Sequence, residues 1–382
     1  MKKIFSLVFV LFFAMQQAFC LQNVSVIYIN GSNNNDEKMK SWFFEGINKF
    51  HPIFKKHVEA DEYMQKHFLK NSTQIINDSP STLFWGDMSR NELSYLKEDL
   101  DIMDVLSPKL AQLVRRAFAL IIHDAIWVTH TKNMYPIIQL LHNEVMQEYK
   151  KGNQSLLMGY SAGTFVTYQY FMFKLPYLNV DNIISSINMD DETKDYLRQA
   201  NFQPTCVDAL LNSNLIYFGL KDIVHFNTDK PYMKQTVSNL DSYTSKYCAP
   251  KDSIKGIVNY ACPISLFYSD PSDPNAKFTK MYLALFEYIF KNNIFWLTVN
   301  WAEDPMGYPV SKNLTVPELE DLMQVKIDPV LGFLYDKSDT RSRKTFISAH
   351  TSYWSQAKKF SKAIISGYKE GRALFGLDKD DI

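Results

Sequence analysis

A serine between two glycines is the strongest candidate for chemistry in this sequence of 382 residues. Ser161 stands in Gly159-Tyr160-Ser161-Ala162-Gly163, directly after the apolar run 154–158 and before a segment with bulky side chains at helical spacing. A nucleophilic serine on a sharp strand-to-helix turn needs small residues two positions before and after it, so that strand and helix can approach. The pattern predicts a nucleophile at Ser161, with the N–H of Ala162 directed at a developing oxyanion. The alternative is an ordinary tight turn.

A serine hydroxyl becomes an effective nucleophile when an imidazole removes its proton. His350 is the best candidate for this base, because it lies late in the chain, just before a C-terminal helical segment. His225 also follows the serine, but in a segment whose pattern fits the rest of the chain poorly. The remaining histidines all precede the serine, so we expect His350 to be the general base.

The acid that orients the imidazole should follow a strand between the serine and the histidine. Asp304 comes just after the apolar run 294–300, in a loop that contains two prolines. Asp222 follows the shorter run 215–219 and is the alternative acid. Asp304 is favoured because it lies much closer in sequence to the histidine, and Glu303 is a third, weaker candidate. A solvated loop carboxylate is the competing interpretation for each of them.

A second oxyanion donor is expected in the loop after an early strand. The β-branched and aromatic run 24–30 ends in Asn30-Gly31-Ser32-Asn33. Gly31 would permit close approach of the main chain to a substrate, and the N–H of Ser32 or Asn33 would point inward. An ordinary Asn/Gly turn is the alternative.

Strand and helix patterns alternate along the chain. Strands are expected at 24–30, 81–85, 154–158, 215–219 and 294–300, and helices at 37–50, 108–150 with a break near Pro136, 164–173, 278–290 and about 351–368. Such alternation predicts an α/β fold, with a mostly parallel central sheet and helices on both faces. The segment 181–278 fits this pattern poorly, and we interpret it as an insertion or cap.

The first 20 residues have the pattern of a secretory signal peptide. Lys2 and Lys3 precede an apolar run from Ile4 to Met15, which is shorter than the roughly 20 residues needed to span a bilayer. Ala18 and Cys20 place small residues before a cleavage site, so the folded domain is expected at 21–382. A lipid-modified Cys20 is the alternative. The chain is therefore expected to be exported, to a periplasm or out of the cell.

The charge balance limits the possible partners, and the cysteine and histidine spacing limits the possible disulfides and metal sites. Lys+Arg and Asp+Glu each total 41, so no net field favours nucleic acid. Cys206, Cys248 and Cys262 remain after cleavage; Cys248 and Cys262 could close a short loop, or all three could be packed thiols. The sequence has no Cys-x-x-Cys or His-x-x-x-His pair, so it gives no support for a zinc site, and we expect no metal or other cofactor.

Together these residues resemble the α/β-hydrolase superfamily, in the chain order Ser, Asp, His. Two local features are similar to class-3 lipases: Asp304-Pro305 shortly after a strand, with Gly-Tyr-Pro downstream, and His350 followed closely by Tyr353-Trp354. In contrast, Tyr160 and Ala162 replace the His and Leu that are common in lipase elbows.

This resemblance implies a serine hydrolase that cleaves carboxylic esters, either lipid or small acyl esters, through Ser161, His350 and Asp304. A lipid substrate would bring the protein into peripheral contact with a membrane surface. The alternative is a catalytically silent α/β-hydrolase scaffold that binds a ligand or partner. A peptidase or amidase on the same fold is a third hypothesis. The sequence does not indicate an oligomeric state.

Overall fold

The computed structural model describes most of the chain after residue 22. The described ranges are 23–31, 37–88, 131–177, 204–212, 216–218, 224–226, 240–267, 280–311 and 313–378, with a few single positions elsewhere. The proposed signal peptide, Ser32 and Asp222 lie outside these ranges.

A parallel sheet forms the centre of the molecule. The described strands are β1 (Asn23–Ile29), β2 (Ile75–Ile76), β3 (Ser81–Leu83), β4 (Asn153–Tyr160), β5 (Ile216–Phe218), β6 (Val224–Phe226), β7 (Ile254–Tyr260), β8 (Phe295–Trp301) and β9 (Phe333–Thr340). The main sheet has the spatial order β2-β1-β4-β7-β8-β9, and β3 also pairs with β1. Every pair in it is parallel. All of its strands therefore end at the same edge.

Helices connect these strands. The described helices are α1 (Glu37–Ala60), a π-helical turn (Met64–Phe68), α2 (Thr131–Lys150), α3 (Gly163–Lys174), α4 (Val207–Asn212), α5 (Leu240–Tyr247), α6 (Ile264–Phe267), α7 (Lys280–Lys291), α8 (Val316–Met323), α9 (Phe346–His350) and α10 (Ala357–Leu374). Parallel strands need such crossovers, because each connection must return to the start of the next strand. None of the described helices combines the length and the apolar composition needed to cross a bilayer.

Helices pack against both faces of the sheet. Successive side chains of a strand point to opposite faces of the sheet, so two consecutive residues of β8 contact the helices on its two faces. The ring of Trp296 lies edge-on to Phe171 of α3, at a centroid distance of 5.9 Å. The next residue, Leu297, lies against Gly367 of α10. The predicted α/β class, a mostly parallel sheet surrounded by helices, is confirmed.

Three strands of the sheet, β2, β7 and β9, were not predicted from the sequence. Strand β7 lies between β4 and β8, within the segment 181–278 that the sequence suggests is an insertion. Lys255, Gly256 and Asn259 interrupt its apolar pattern, although all of its residues are buried. Strand β9 has an apolar start and a polar second half, so its pattern is also weak. An insertion in 181–278 therefore cannot include residues 254–260.

The predicted strand at 215–219 does not join the main sheet. Residues 216–218 form β5, which pairs antiparallel with β6 in a separate two-stranded sheet. The predicted break at Pro136 is also wrong, because α2 continues from Thr131 to Lys150 with this proline inside it. Pro136 lies in the second turn of α2, where the missing N–H removes a single intrahelical hydrogen bond.

The cysteines pair differently from the suggested short loop. Cys206 and Cys248 form a disulfide, and Cys262 is a buried free thiol. Next to the disulfide, the ammonium of Lys174 and the carboxylate of Asp208 form an ion pair with both side chains fully buried. The disulfide joins the residue before α4 to the residue after α5, and the ion pair joins α4 to α3. Cys248 and Cys262 are closer in sequence, but the fold brings Cys206 next to Cys248.

Lys255 is a buried cation in the first part of β7. Its ammonium donates to Gln74 Oε1 at 3.2 Å and lies 5.3 Å from the centroid of the Phe68 ring. Burial, and then the positive charges of Lys70 and Arg372, lower the pKa of Lys255 to about 7. A protonated Lys255 is therefore costly in the folded state.

We expect the Lys255→Met variant to be more stable than the wild type near neutral pH. The unfolded chain binds a proton at this lysine below a pH of about 10.4, whereas the folded chain binds it only below the lowered pKa. Wild-type stability should therefore decrease as the pH falls between these values, by a total on the order of 2–4 kcal/mol, and the variant should lack this decrease. Urea unfolding of the wild type and of Lys255→Met from pH 6 to pH 10 measures the pH dependence of the stability of each protein.

The matched control is Lys49→Met, since the Lys49 side chain is 77% exposed. This control should retain the wild-type dependence of stability on pH. Equal pH dependence in the wild type and in Lys255→Met would contradict the assignment of the lowered pKa to Lys255.

Candidate active site

The proposed catalytic residues lie at one edge of the sheet, where the parallel strands end. Ser161 directly follows β4, and Asp304 lies three residues after β8. His350 is the last residue of the short helix α9, which follows β9. The strand register places the last residue of β4, Tyr160, opposite Tyr260 of β7. The sheet thus positions three distant parts of the sequence next to one another.

Ser161 has a left-handed backbone conformation, with a φ of 50°. Its N–H donates to the carbonyl oxygen of Tyr260 at 3.0 Å, and its carbonyl oxygen accepts the N–H of Thr164 at 3.0 Å. A non-glycine residue in this region costs roughly 1–2 kcal/mol. The neighbouring strand and the start of α3 therefore hold Ser161 in a strained turn, as the sequence pattern predicts.

Glycine is required where the turn contacts the first strand. A Cβ at Gly163 would lie 2.5 Å from the carbonyl oxygen of Asn30. A Cβ at Gly31 would lie 2.8 Å from the Cβ of Ser161 and 2.9 Å from the carbonyl oxygen of Tyr160. Side chains at either position would push the serine turn away from the end of β1.

A continuous line of hydrogen bonds links the three side chains. His350 Nε2 lies 3.1 Å from Ser161 Oγ, and His350 Nδ1 lies 2.9 Å from Asp304 Oδ1. The Asp304 side chain is fully buried, whereas the His350 side chain is 19% exposed. An ionised carboxylate accepts hydrogen bonds only, so Nδ1 is the donor to Asp304 and Nε2 can accept from the serine.

Asp304 is held by two further donors. The N–H of Met306 donates to Oδ1 at 2.9 Å, and the hydroxyl of Tyr353 donates to Oδ2 at 2.8 Å. Tyr353 in turn accepts the N–H of Trp301 at 3.0 Å. Burial and the charge of Asp304 raise the pKa of Tyr353 well above its usual value, so its hydroxyl remains a donor. In the sequence, Tyr353 stands out only as part of the Tyr353-Trp354 motif, which does not predict this contact.

The neighbouring acid, Glu303, binds a different loop. Its carboxylate accepts the N–H of Ser342 at 2.7 Å and the N–H of Arg343 at 3.3 Å. Burial opposes ionisation of Glu303, but these hydrogen bonds outweigh it and lower the pKa of its carboxyl group. Glu303 therefore ties the loop after β8 to the loop that leads into α9, and Asp304 is the acid that contacts the imidazole.

A second buried carboxylate anchors the far end of the loop after β8. Asp336, on β9, accepts the N–H of Val310 at 2.8 Å. It also accepts the N–H of Ser311 at 2.7 Å and the hydroxyl of the same serine at 2.8 Å. The loop that carries Asp304 is thus fixed at both ends by carboxylates.

Ala162, the predicted oxyanion donor, lies at the start of the helix that follows Ser161. It is the N-cap residue of α3. The N–H of Thr164 and the N–H of Phe165 donate back to the carbonyl oxygens of Ser161 and Ala162. The N–H of Ala162 lies before these bonds, at the positive end of the helix dipole. The second predicted donor, Ser32, lies outside the described residues, as does the alternative acid Asp222.

Two other histidines are buried in structural roles. His51 lies 3.1 Å from the hydroxyl of Tyr28 and 2.8 Å from the carbonyl oxygen of Asn77. His142 lies 3.3 Å from the hydroxyl of Tyr170, and burial lowers its pKa to about 4. Within the described residues, no group of three or more His, Cys, Asp or Glu side chains is placed to hold a metal ion.

Comparisons with protein-family models, with curated proteins and with solved structures find no match to this chain. A function for this chain is therefore inferred from the geometry of the site.

The strain at Ser161 predicts a difference between two variants. Ser161→Gly and Ser161→Ala both lack the hydroxyl, but only alanine keeps a Cβ in the left-handed region. We expect Ser161→Gly to be the more stable of the two by about 1 kcal/mol, measured by urea unfolding. Equal stability of the two variants, or a more stable Ser161→Ala, would show that the turn is not strained.

Proposed function

We propose that this protein is a serine hydrolase that cleaves carboxylic esters. The observation that carries the proposal is the line from Ser161 Oγ through the imidazole of His350 to a fully buried Asp304, with distances of 3.1 Å and 2.9 Å. The positive φ of Ser161 supports it, because such a strained turn between a strand and a helix is the position of the nucleophilic serine in this kind of site.

In the proposed reaction, Ser161 Oγ attacks the acyl carbonyl while His350 Nε2 accepts its proton. The carbonyl oxygen becomes an oxyanion, which the N–H of Ala162 stabilises. Asp304 stabilises the imidazolium that forms. The imidazolium then gives its proton to the leaving alkoxide, and an acyl-serine remains. Water, deprotonated by the same imidazole, then attacks the acyl-serine. The imidazolium returns this proton to Ser161 Oγ as the bond between the acyl group and Oγ breaks, which releases the carboxylic acid and restores the free hydroxyl.

The layout also supports an α/β-hydrolase fold. The nucleophile follows a strand, the acid follows a later strand, and the base follows the last strand, all at the carboxyl edge of the parallel sheet. This order is the one that the superfamily uses. The segment between α3 and β7 is the place for a cap, and it carries the disulfide between Cys206 and Cys248.

Aromatic side chains beside the site favour an apolar acyl group. Trp42 is partly buried and lies 4.6 Å from the ring of Trp354 and 6.2 Å from the ring of Tyr160. Phe44 and Phe84, also partly buried, lie 6.1 Å apart, and both lie beside Phe43, whose ring is 5.5 Å from that of Trp354. Apolar surface of this kind suits lipid or small acyl esters. The pattern of the first 20 residues supports export, and a lipid substrate would add peripheral contact with a membrane surface.

Replacing the nucleophile tests the reaction. We expect Ser161→Ala to lower kcat for p-nitrophenyl acetate and p-nitrophenyl octanoate by at least about 10³-fold, because the acyl-serine cannot form. A fluorophosphonate probe should label the wild type at Ser161 and leave the variant unlabelled. Wild-type protein that neither hydrolyses these esters nor takes up the probe would instead support the silent scaffold.

The identity of the acid is tested by two amide variants. We expect Asp304→Asn to lower kcat by about 10²–10⁴-fold, because an amide neither fixes the tautomer of His350 nor stabilises its protonated form. The matched control, Asp222→Asn, should keep the wild-type kcat. The reverse result, a loss with Asp222→Asn alone, would assign the acid to Asp222.

A further inference from the structure

Tyr160, the residue before the serine, is bonded to the main chain of the histidine. Its hydroxyl donates to the carbonyl oxygen of His350 at 3.0 Å, across a separation of 190 positions. His350 is the last residue of α9. Carbonyl groups at the end of a helix lack intrahelical donors. The tyrosine hydroxyl supplies such a donor and joins the segment of the nucleophile to the segment of the base.

We propose that Tyr160 is a positioning residue, which holds the main chain of His350 at a fixed distance from Ser161 throughout turnover. This inference rests on the proposed function. The hydrogen bond between Ser161 Oγ and His350 Nε2 is lost when the serine attacks a substrate, since the proton passes to the imidazole. The hydrogen bond of Tyr160 involves neither reacting atom, so it persists while the imidazole moves a proton between the serine, the leaving group and water.

The ring of Tyr160 is held on several sides. Its centroid lies 5.4 Å from that of Tyr260, 4.9 Å from that of Trp354 and 5.4 Å from that of His350. The indole N–H of Trp354 also donates to the hydroxyl of Tyr260 at 3.1 Å, which fixes two of these neighbours relative to each other. The direction of the Tyr160 hydroxyl is therefore set by packing, as a positioning role requires.

The hydroxyl remains a donor under all ordinary conditions. Tyr160 is 5% exposed. Burial, followed by the charge of Asp304 and the proximity of Tyr260, raises the pKa of Tyr160 well above its usual value. The G-x-S-x-G motif permits any residue at this position, so the motif alone does not reveal the role.

The test compares two variants that each lose one buried phenol oxygen. Tyr160→Phe removes the bond to His350, and Tyr177→Phe removes a bond of the same kind, from the Tyr177 hydroxyl to the carbonyl oxygen of Met172 at 3.2 Å. We expect Tyr160→Phe to lower kcat for p-nitrophenyl acetate by about tenfold with an unchanged KM, since a misplaced base slows the chemical step and leaves binding intact. Labelling by a fluorophosphonate should slow by the same factor.

Tyr177→Phe should keep the wild-type kcat, KM and labelling rate. Thermal unfolding of both variants is measured first, and kinetics are compared at a temperature at which each protein is fully folded. A Tyr160→Phe variant with the wild-type kcat, or one that loses activity only through a higher KM, would overturn the role of Tyr160 and leave the proposed function standing. Wild-type protein without hydrolysis or labelling would overturn both.

Discussion

The burial of the Asp304 carboxylate is the constraint on which the site depends. A charge with no exposed surface is tolerated only when hydrogen bonds replace the water it has lost. Three groups do this for Asp304: the imidazole of His350, the N–H of Met306 and the hydroxyl of Tyr353. Each of these donors belongs to a loop or helix that has to be in place for the carboxylate to be satisfied. The stability of this edge of the sheet and the alignment of the imidazole therefore have the same source.

The sequence predicted the parts of the fold whose signals are local. The strand, turn and helix around Ser161 follow from an apolar run, small residues at two fixed positions and helical spacing, and the structure has them at β4 and α3. His350 followed from its late position before a helical segment, and Asp304 followed from the strand expected before it. The structure brings both to the site of Ser161. Their catalytic roles remain proposals.

The features that the sequence did not predict depend on contacts between distant segments. Lys255 and Asn259 look unsuitable for a central strand, but within β7 the ammonium of Lys255 donates to Gln74 and the side-chain oxygen of Asn259 accepts from the hydroxyl of Thr167. The pairing of Cys206 with Cys248 depends on where α4 and α5 lie, which spacing along the chain cannot show. The contacts of Tyr160 and Tyr353 were missed for the same reason, since an aromatic residue in a sequence does not show where its hydroxyl points.

The disulfide also has an evolutionary consequence. Between α3 and β7, the chain is fastened by the disulfide bond between Cys206 and Cys248 and by the hydrogen bond from the Ala249 N–H to the carbonyl oxygen of Lys174. The chain between α4 and α5 begins and ends at helices that this covalent link holds together, so a change of length there leaves the disulfide and the ion pair of Asp208 with Lys174 in place. The connection between α4 and α5 is therefore a place where insertions and deletions can accumulate while the sheet is inherited unchanged.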